Sequence, residues 1–151
     1  MVRKFRFIAL VLAGLSVFAI AACSSGGDES SDAEATTAPG AEGTVAVVLK
    51  EFSIAPDADE VAAGEVTFDV SNAGALPHEF IVIKTDTSSA DLPVTALGAD
   101  LTGLEEVGRI DQFNAGEEES LTVDMEAGHY VLICNIAGHF AGGMHTDFTV
   151  N

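Results

Sequence analysis

Residues 129–150 read His129-Tyr-Val-Leu-Ile-Cys134-Asn-Ile-Ala-Gly-His139-Phe-Ala-Gly-Gly-Met144-His-Thr-Asp-Phe-Thr-Val150. Tyr130, Leu132 and Cys134 fall on one face of a run with period two, and Phe148 and Val150 alternate with polar neighbours. Both runs are predicted strands, Tyr130 to Ile133 and Thr146 to Val150. Between them lies the pattern Cys-x4-His-x4-Met. One short loop thus offers a thiolate, an imidazole and a thioether within reach of a common point.

The same texture extends upstream. Val45, Val47 and Leu49 alternate with Ala46, Val48 and Lys50; Val66, Phe68 and Val70 alternate with Thr67, Asp69 and Ser71. Leu121, Val123 and Met125 repeat the pattern, while His78 to Lys84 is apolar on both faces and predicts a central strand. Ala63-Gly64, Asn72-Ala-Gly74, Asn114-Ala-Gly116 and Ala127-Gly128 mark turns. The segment from Thr85 to Gly108, with Pro93 and spaced Leu92, Leu97, Leu101 and Leu104, has room for one short helix. The pattern predicts an all-β domain over residues 44–151: antiparallel strands in a two-sheet Greek-key β-sandwich.

A second histidine, His78, heads a separate strand after Asn72-Ala-Gly-Ala-Leu-Pro77. In a sandwich, that strand end and the later loop can meet at one pole. Thiolate and thioether are soft donors that favour copper, and two imidazoles with a thiolate and a weak axial Met form the ligand set of blue-copper sites. The candidate metal ligands are His78, Cys134, His139 and Met144, holding one copper ion.

With these residues in view, the chain resembles the cupredoxin (type 1 blue-copper) family, which is plastocyanin- and azurin-like. In ligand spacing it is most similar to rusticyanin-like and auracyanin-like members. The resemblance covers about Thr44 to Asn151. It implies a mobile one-electron carrier rather than an enzyme, with the electron leaving through His139. Many cupredoxins place Asn directly after the first histidine, bracing the cysteine loop; here that position holds Glu79. The same ligands would also serve an extracytoplasmic copper-binding or delivery protein, although no Met-rich or His-rich tract accompanies them.

Residues 1–22 lie outside the domain. Arg3, Lys4 and Arg6 precede an apolar run from Phe7 to Ala22, the pattern of an export signal. Ile20-Ala-Ala-Cys23 resembles the lipobox of bacterial lipoproteins, which implies lipidation of Cys23. Residues 24–43 are small, polar and acidic, and their composition predicts a flexible linker. The expected location is extracytoplasmic, anchored by lipid to the outer side of the cytoplasmic membrane. Beyond the signal, Lys50, Lys84 and Arg109 stand against 24 acidic residues, a formal balance of −21. That charge disfavours nucleic acid and anionic headgroups.

The neighbours of the ligands are uncharged. Leu76, Pro77, Phe140, Ala141 and Gly142 are expected to converge as a docking patch. The expected partner is a redox protein such as a cytochrome or a membrane oxidoreductase, met by a monomer. Zinc would prefer a stronger fourth donor than Met, and multicopper oxidases need more histidines than the four present. His145 is expected on the surface, pointing away from Met144, and His129 to be structural. Phe80, Tyr130 and Phe148 are expected in the core.

Overall fold

The computed structural model describes residues 43–151. The signal peptide, Cys23 and nearly all of the linker lie outside the described residues. Gly43, assigned above to the linker, already joins the domain: its carbonyl accepts from the Thr67 amide at 2.6 Å.

Among the described residues, nine strands form two sheets. The first contains β1 (Thr44–Lys50), β2 (Ser53–Pro56), β4 (Gly64–Asn72) and β7 (Glu118–Met125), in the order β2-β1-β4-β7. The second contains β3 (Glu60–Val61), β5 (His78–Lys84), β6 (Glu105–Phe113), β8 (Gly128–Ile133) and β9 (His145–Val150), in the order β3-β9-β8-β5-β6.

The sandwich follows from the alternation. Val45, Val47 and Leu49 of β1 and Val66, Phe68 and Val70 of β4 face Phe80, Val82, Tyr130, Leu132, Phe148 and Val150 of the second sheet in one buried cluster. Each such side chain contributes about 1.5–3 kcal/mol on burial. Phe68 sits at the centre, with its ring 5.4 Å from that of Phe80 and 5.5 Å from that of Phe148. Phe80, Tyr130 and Phe148 are core residues, as expected.

The second sheet is apolar on its outer face as well. Ile81, Ile83, Val131 and Ile133 pack there against Leu92, Ala99 and Phe140. The loop from Thr85 to Leu104 therefore acts as a cover. Its only helical element is a single 3-10 turn, Ser89–Asp91. This second core explains why β5 is apolar on both faces.

Two expectations need correction. The strands are not all antiparallel: β1 runs parallel to β4, and β3 parallel to β9. Side-chain alternation encodes which face is buried and is silent on strand direction. The segment before Gly108 also conceals the start of β6. That strand pairs with β5 at the sheet edge, with register irregularities at His78/Phe80 and Val82/Ile83. A bulged, charged edge strand loses the period-two signature.

Candidate metal centre

Three local devices bring the predicted ligands together. Cys134 directly follows β8, and its amide donates to the Met144 carbonyl at 3.0 Å, so the β8–β9 ladder continues up to the loop it closes. Inside the loop, the His139 amide donates to Ile136 O (2.8 Å) and the Met144 amide to His139 O (3.1 Å). These tight turns swing His139 and Met144 back toward Cys134. From the other side, buried Asn72 shapes the approach to His78: its Nδ2 donates to Leu76 O (2.9 Å) and its Oδ1 accepts from the Gly74 amide (3.0 Å).

The result is a tight cluster. Cys134 Sγ lies 3.4 Å from His139 Nδ1 and 4.0 Å from His78 Nδ1. The two Nδ1 atoms are 3.2 Å apart. His78, Cys134 and Met144 have no exposed surface, and His139 keeps 8%. Among the described residues, His78, Cys134 and His139 are the group of donor atoms close enough to share a metal ion. Met144 completes the loop and packs in the same core as Cys134.

Burial disfavours an uncompensated charge on any one of these donors. Burial pushes the Cys134 thiol up from its ordinary value, outweighing the amides of Glu79 and Ile136 that favour the thiolate. Burial, and then the nearby His139, holds the His78 imidazole down, so it stays neutral. Three lone-pair atoms therefore face one another in a dry cleft. One proton can be shared by two of them; a cation satisfies all three and stabilises the thiolate. The soft sulfur donors suit copper.

Around the cluster, Glu79 takes over the bracing expected of Asn. Its Oε1 accepts from the Asn135 amide at 2.9 Å, and its Oε2 pairs with Arg109 at 3.0 Å. Arg109 also binds both oxygens of Glu106, at 3.0 and 2.8 Å. Asn135 grips the covering loop, donating to Ala99 O (3.1 Å) and accepting from the Ala99 amide (2.7 Å).

The expected docking patch is only partly exposed. Leu76 is 45% exposed, Ala141 and Gly142 are exposed, and Pro77 is half-buried. Phe140 is buried at 4% and belongs to the outer core. Its ring turns inward onto His145, with centroids 4.7 Å apart. His145 is correspondingly half-buried rather than on the surface, with Nδ1 3.0 Å from Ser89 Oγ.

The aromatic residue at the exposed pole is instead Phe52, 46% exposed and edge-on to the His139 ring at 5.7 Å. It lies over Gly142, where an added Cβ would meet the ring at 2.6 Å. Phe52 and its neighbour Glu51 sit in the β1–β2 turn, remote in sequence from every ligand. No spacing rule connects them to the site.

Residues 60–151 match the sulfocyanin (SoxE) domain family. No curated protein matches the chain. Among solved structures, reduced auracyanin from Roseiflexus castenholzii is similar at 25% identity and a TM-score of 0.56, over 74% of this chain and 99% of that one. Auracyanin A, a "blue" copper protein from Chloroflexus aurantiacus, is similar at 24% identity and a TM-score of 0.50, over 72% of this chain and 100% of that one. Rusticyanin from Thiobacillus ferrooxidans shares the fold at 21% identity and a TM-score of 0.50, over 74% of this chain and 79% of that one. The chain thus belongs to the sulfocyanin (SoxE) domain family: it is a type 1 blue-copper protein of cupredoxin fold, an electron carrier whose cofactor is one copper ion.

Proposed function

We propose that this protein is a mobile one-electron carrier on the outer side of the bacterial cytoplasmic membrane. In this reading Cys23 carries the lipid anchor, and His78, Cys134, His139 and Met144 hold the copper. The observation that carries the proposal is the convergence of three donor atoms within 4.0 Å of one another in a cleft with almost no solvent access.

Bound copper supplies the one-electron couple. The protein does the rest. Strands β5, β8 and β9 hold the donors on a rigid sheet, and two apolar cores exclude water from them. Ligands that need not rearrange lower the cost of changing charge. His139, the least covered of the four, lies beneath Phe52. A partner such as a cytochrome or a membrane oxidoreductase would dock on the apolar rim of Phe52, Leu76, Pro77, Ala141 and Gly142, which Glu51 borders, over a small and transient interface with this monomer. A linker of about 20 residues would allow roughly 25 Å of reach from the membrane.

Copper delivery is the alternative, since it would use the same donors. Full burial of His78, Cys134 and Met144 favours retention over release. Two measurements on the purified copper protein separate the readings: electron self-exchange by NMR line broadening, and copper loss to a mild chelator. The carrier reading expects fast exchange and slow loss. Rapid loss with sluggish exchange would replace it with delivery.

A further inference from the structure

The β1–β2 turn presents Glu51 to the loop that ends at His78. Its Oε1 accepts from the Ala75 amide at 2.6 Å and the Leu76 amide at 2.7 Å. The loop wraps so closely that a Cβ on Gly74 would lie 2.5 Å from the same oxygen. Glu51 Oε1 is also 3.5 Å from His78 Nε2. That nitrogen is buried and makes no hydrogen bond within the described residues. A buried ring nitrogen without a partner is rare and costly. The carboxylate is the charge aimed at it.

We propose that Glu51 is a positioning residue of the copper centre, fixing His78 with its proton on Nε2 and setting a permanent negative charge against the site that favours Cu(II) over Cu(I). The inference rests on the ligand assignment made above. A proton on Nε2 leaves Nδ1 free, and Nδ1 is the atom that faces Cys134 and His139. Outer partners of this kind orient a metal-binding imidazole and raise its basicity. The Ala75 and Leu76 amides both donate to the Glu51 carboxylate, an arrangement that favours its charged form. Glu79, the other carboxylate beside the cluster, is paired with Arg109, whereas Glu51 faces amides and an imidazole. Its charge is therefore the less compensated of the two.

The test compares the wild type with Glu51→Gln, Glu51→Asp and Glu51→Ala. Gln keeps an acceptor for the loop amides and removes only the charge. Nitrogen-15 NMR of the copper-free wild type should show the His78 proton on Nε2, and Glu51→Ala should redistribute it. In the copper protein, Glu51→Gln should shift the Cu(II)/Cu(I) balance about tenfold toward Cu(I), a rise of about 59 mV for one electron. Glu51→Asp should restore part of that shift. A Glu51→Gln potential equal to that of the wild type, or a copper-free His78 with its proton on Nδ1, would overturn the proposal. Failure of the wild type to form a thiolate–copper absorption band would instead count against the ligand assignment. The copper-free NMR would still decide what Glu51 does to His78.

Discussion

The four histidines of the chain fall into two pairs that fold has treated in opposite ways. His78 and His139 face each other through ring nitrogens 3.2 Å apart, and His78 Nε2 makes no hydrogen bond within the described residues. His129 and His145 belong to a network that is satisfied. His129 bonds Thr85 O at 2.5 Å and Asp147 at 3.0 Å; His145 bonds Ser89, which in turn donates its amide and hydroxyl to Asp147. Both pairs lie on or beside the same sheet. The difference teaches that the metal site is marked by polar atoms left facing one another, while structural histidines find hydrogen-bond partners within the protein. Phe140 stands between the two, next to His139 in sequence and stacked on His145 in space.

That position makes Phe140 the sharpest place to break the contrast. Phe140→Ala should destabilise the domain by about 3–5 kcal/mol, the usual cost of emptying a buried aromatic site. Urea unfolding would measure it. A loss below about 1 kcal/mol would mean that Phe140 is a surface residue of the docking rim, as its neighbours in sequence suggested.

The next effect concerns the copper pair alone. Glu79→Ala removes the acceptor for the Asn135 amide and one partner of Arg109. Copper affinity should fall about 10–100-fold, the usual loss for an outer partner of a metal ligand. Competition with a chelator of known affinity would read it. An unchanged affinity would show that the cysteine loop holds itself without the brace.

The smallest effect belongs to the satisfied pair. Burial works to raise the Asp147 carboxyl, but the Ser89 amide and hydroxyl and the His129 ring outweigh it and leave the pKa lowered. A depressed folded-state value stabilises the protein above the unfolded carboxylate range, near 4, and the benefit is lost as pH falls through the folded value. Asp147 is about half exposed, so solvent screens part of this effect, and Asp147→Asn should cost about 0.5 kcal/mol at neutral pH. The cost should vanish in acid, with the copper spectrum unchanged throughout. A constant penalty at every pH would assign the loss to packing instead of charge.

Much of this was legible beforehand, for reasons that differ by region. The ligand loop announces itself because Cys134, His139 and Met144 lie within eleven residues and between two strands. The inner core follows from alternation in β1, β4 and β7. The parallel pairing of β1 with β4 was hidden, since alternation is the same in either direction. β6 was hidden by its bulges. Loop residues have no period, so nothing local distinguished buried Phe140 from exposed Ala141. Glu51 and Phe52 reach the copper pole only because the β1–β2 turn ends there, a fact that only the folded chain supplies.

The central claim is that His78, Cys134, His139 and Met144, and not the other histidine pair, hold the copper. A visible-absorption titration of the copper-free protein with Cu(II) tests it most directly, run beside Cys134→Ser and His129→Gln. The account predicts an intense thiolate-to-copper band that saturates at one equivalent, persists in His129→Gln and is absent from Cys134→Ser. A band that survives in Cys134→Ser, or one that disappears in His129→Gln while the fold is intact, would contradict it.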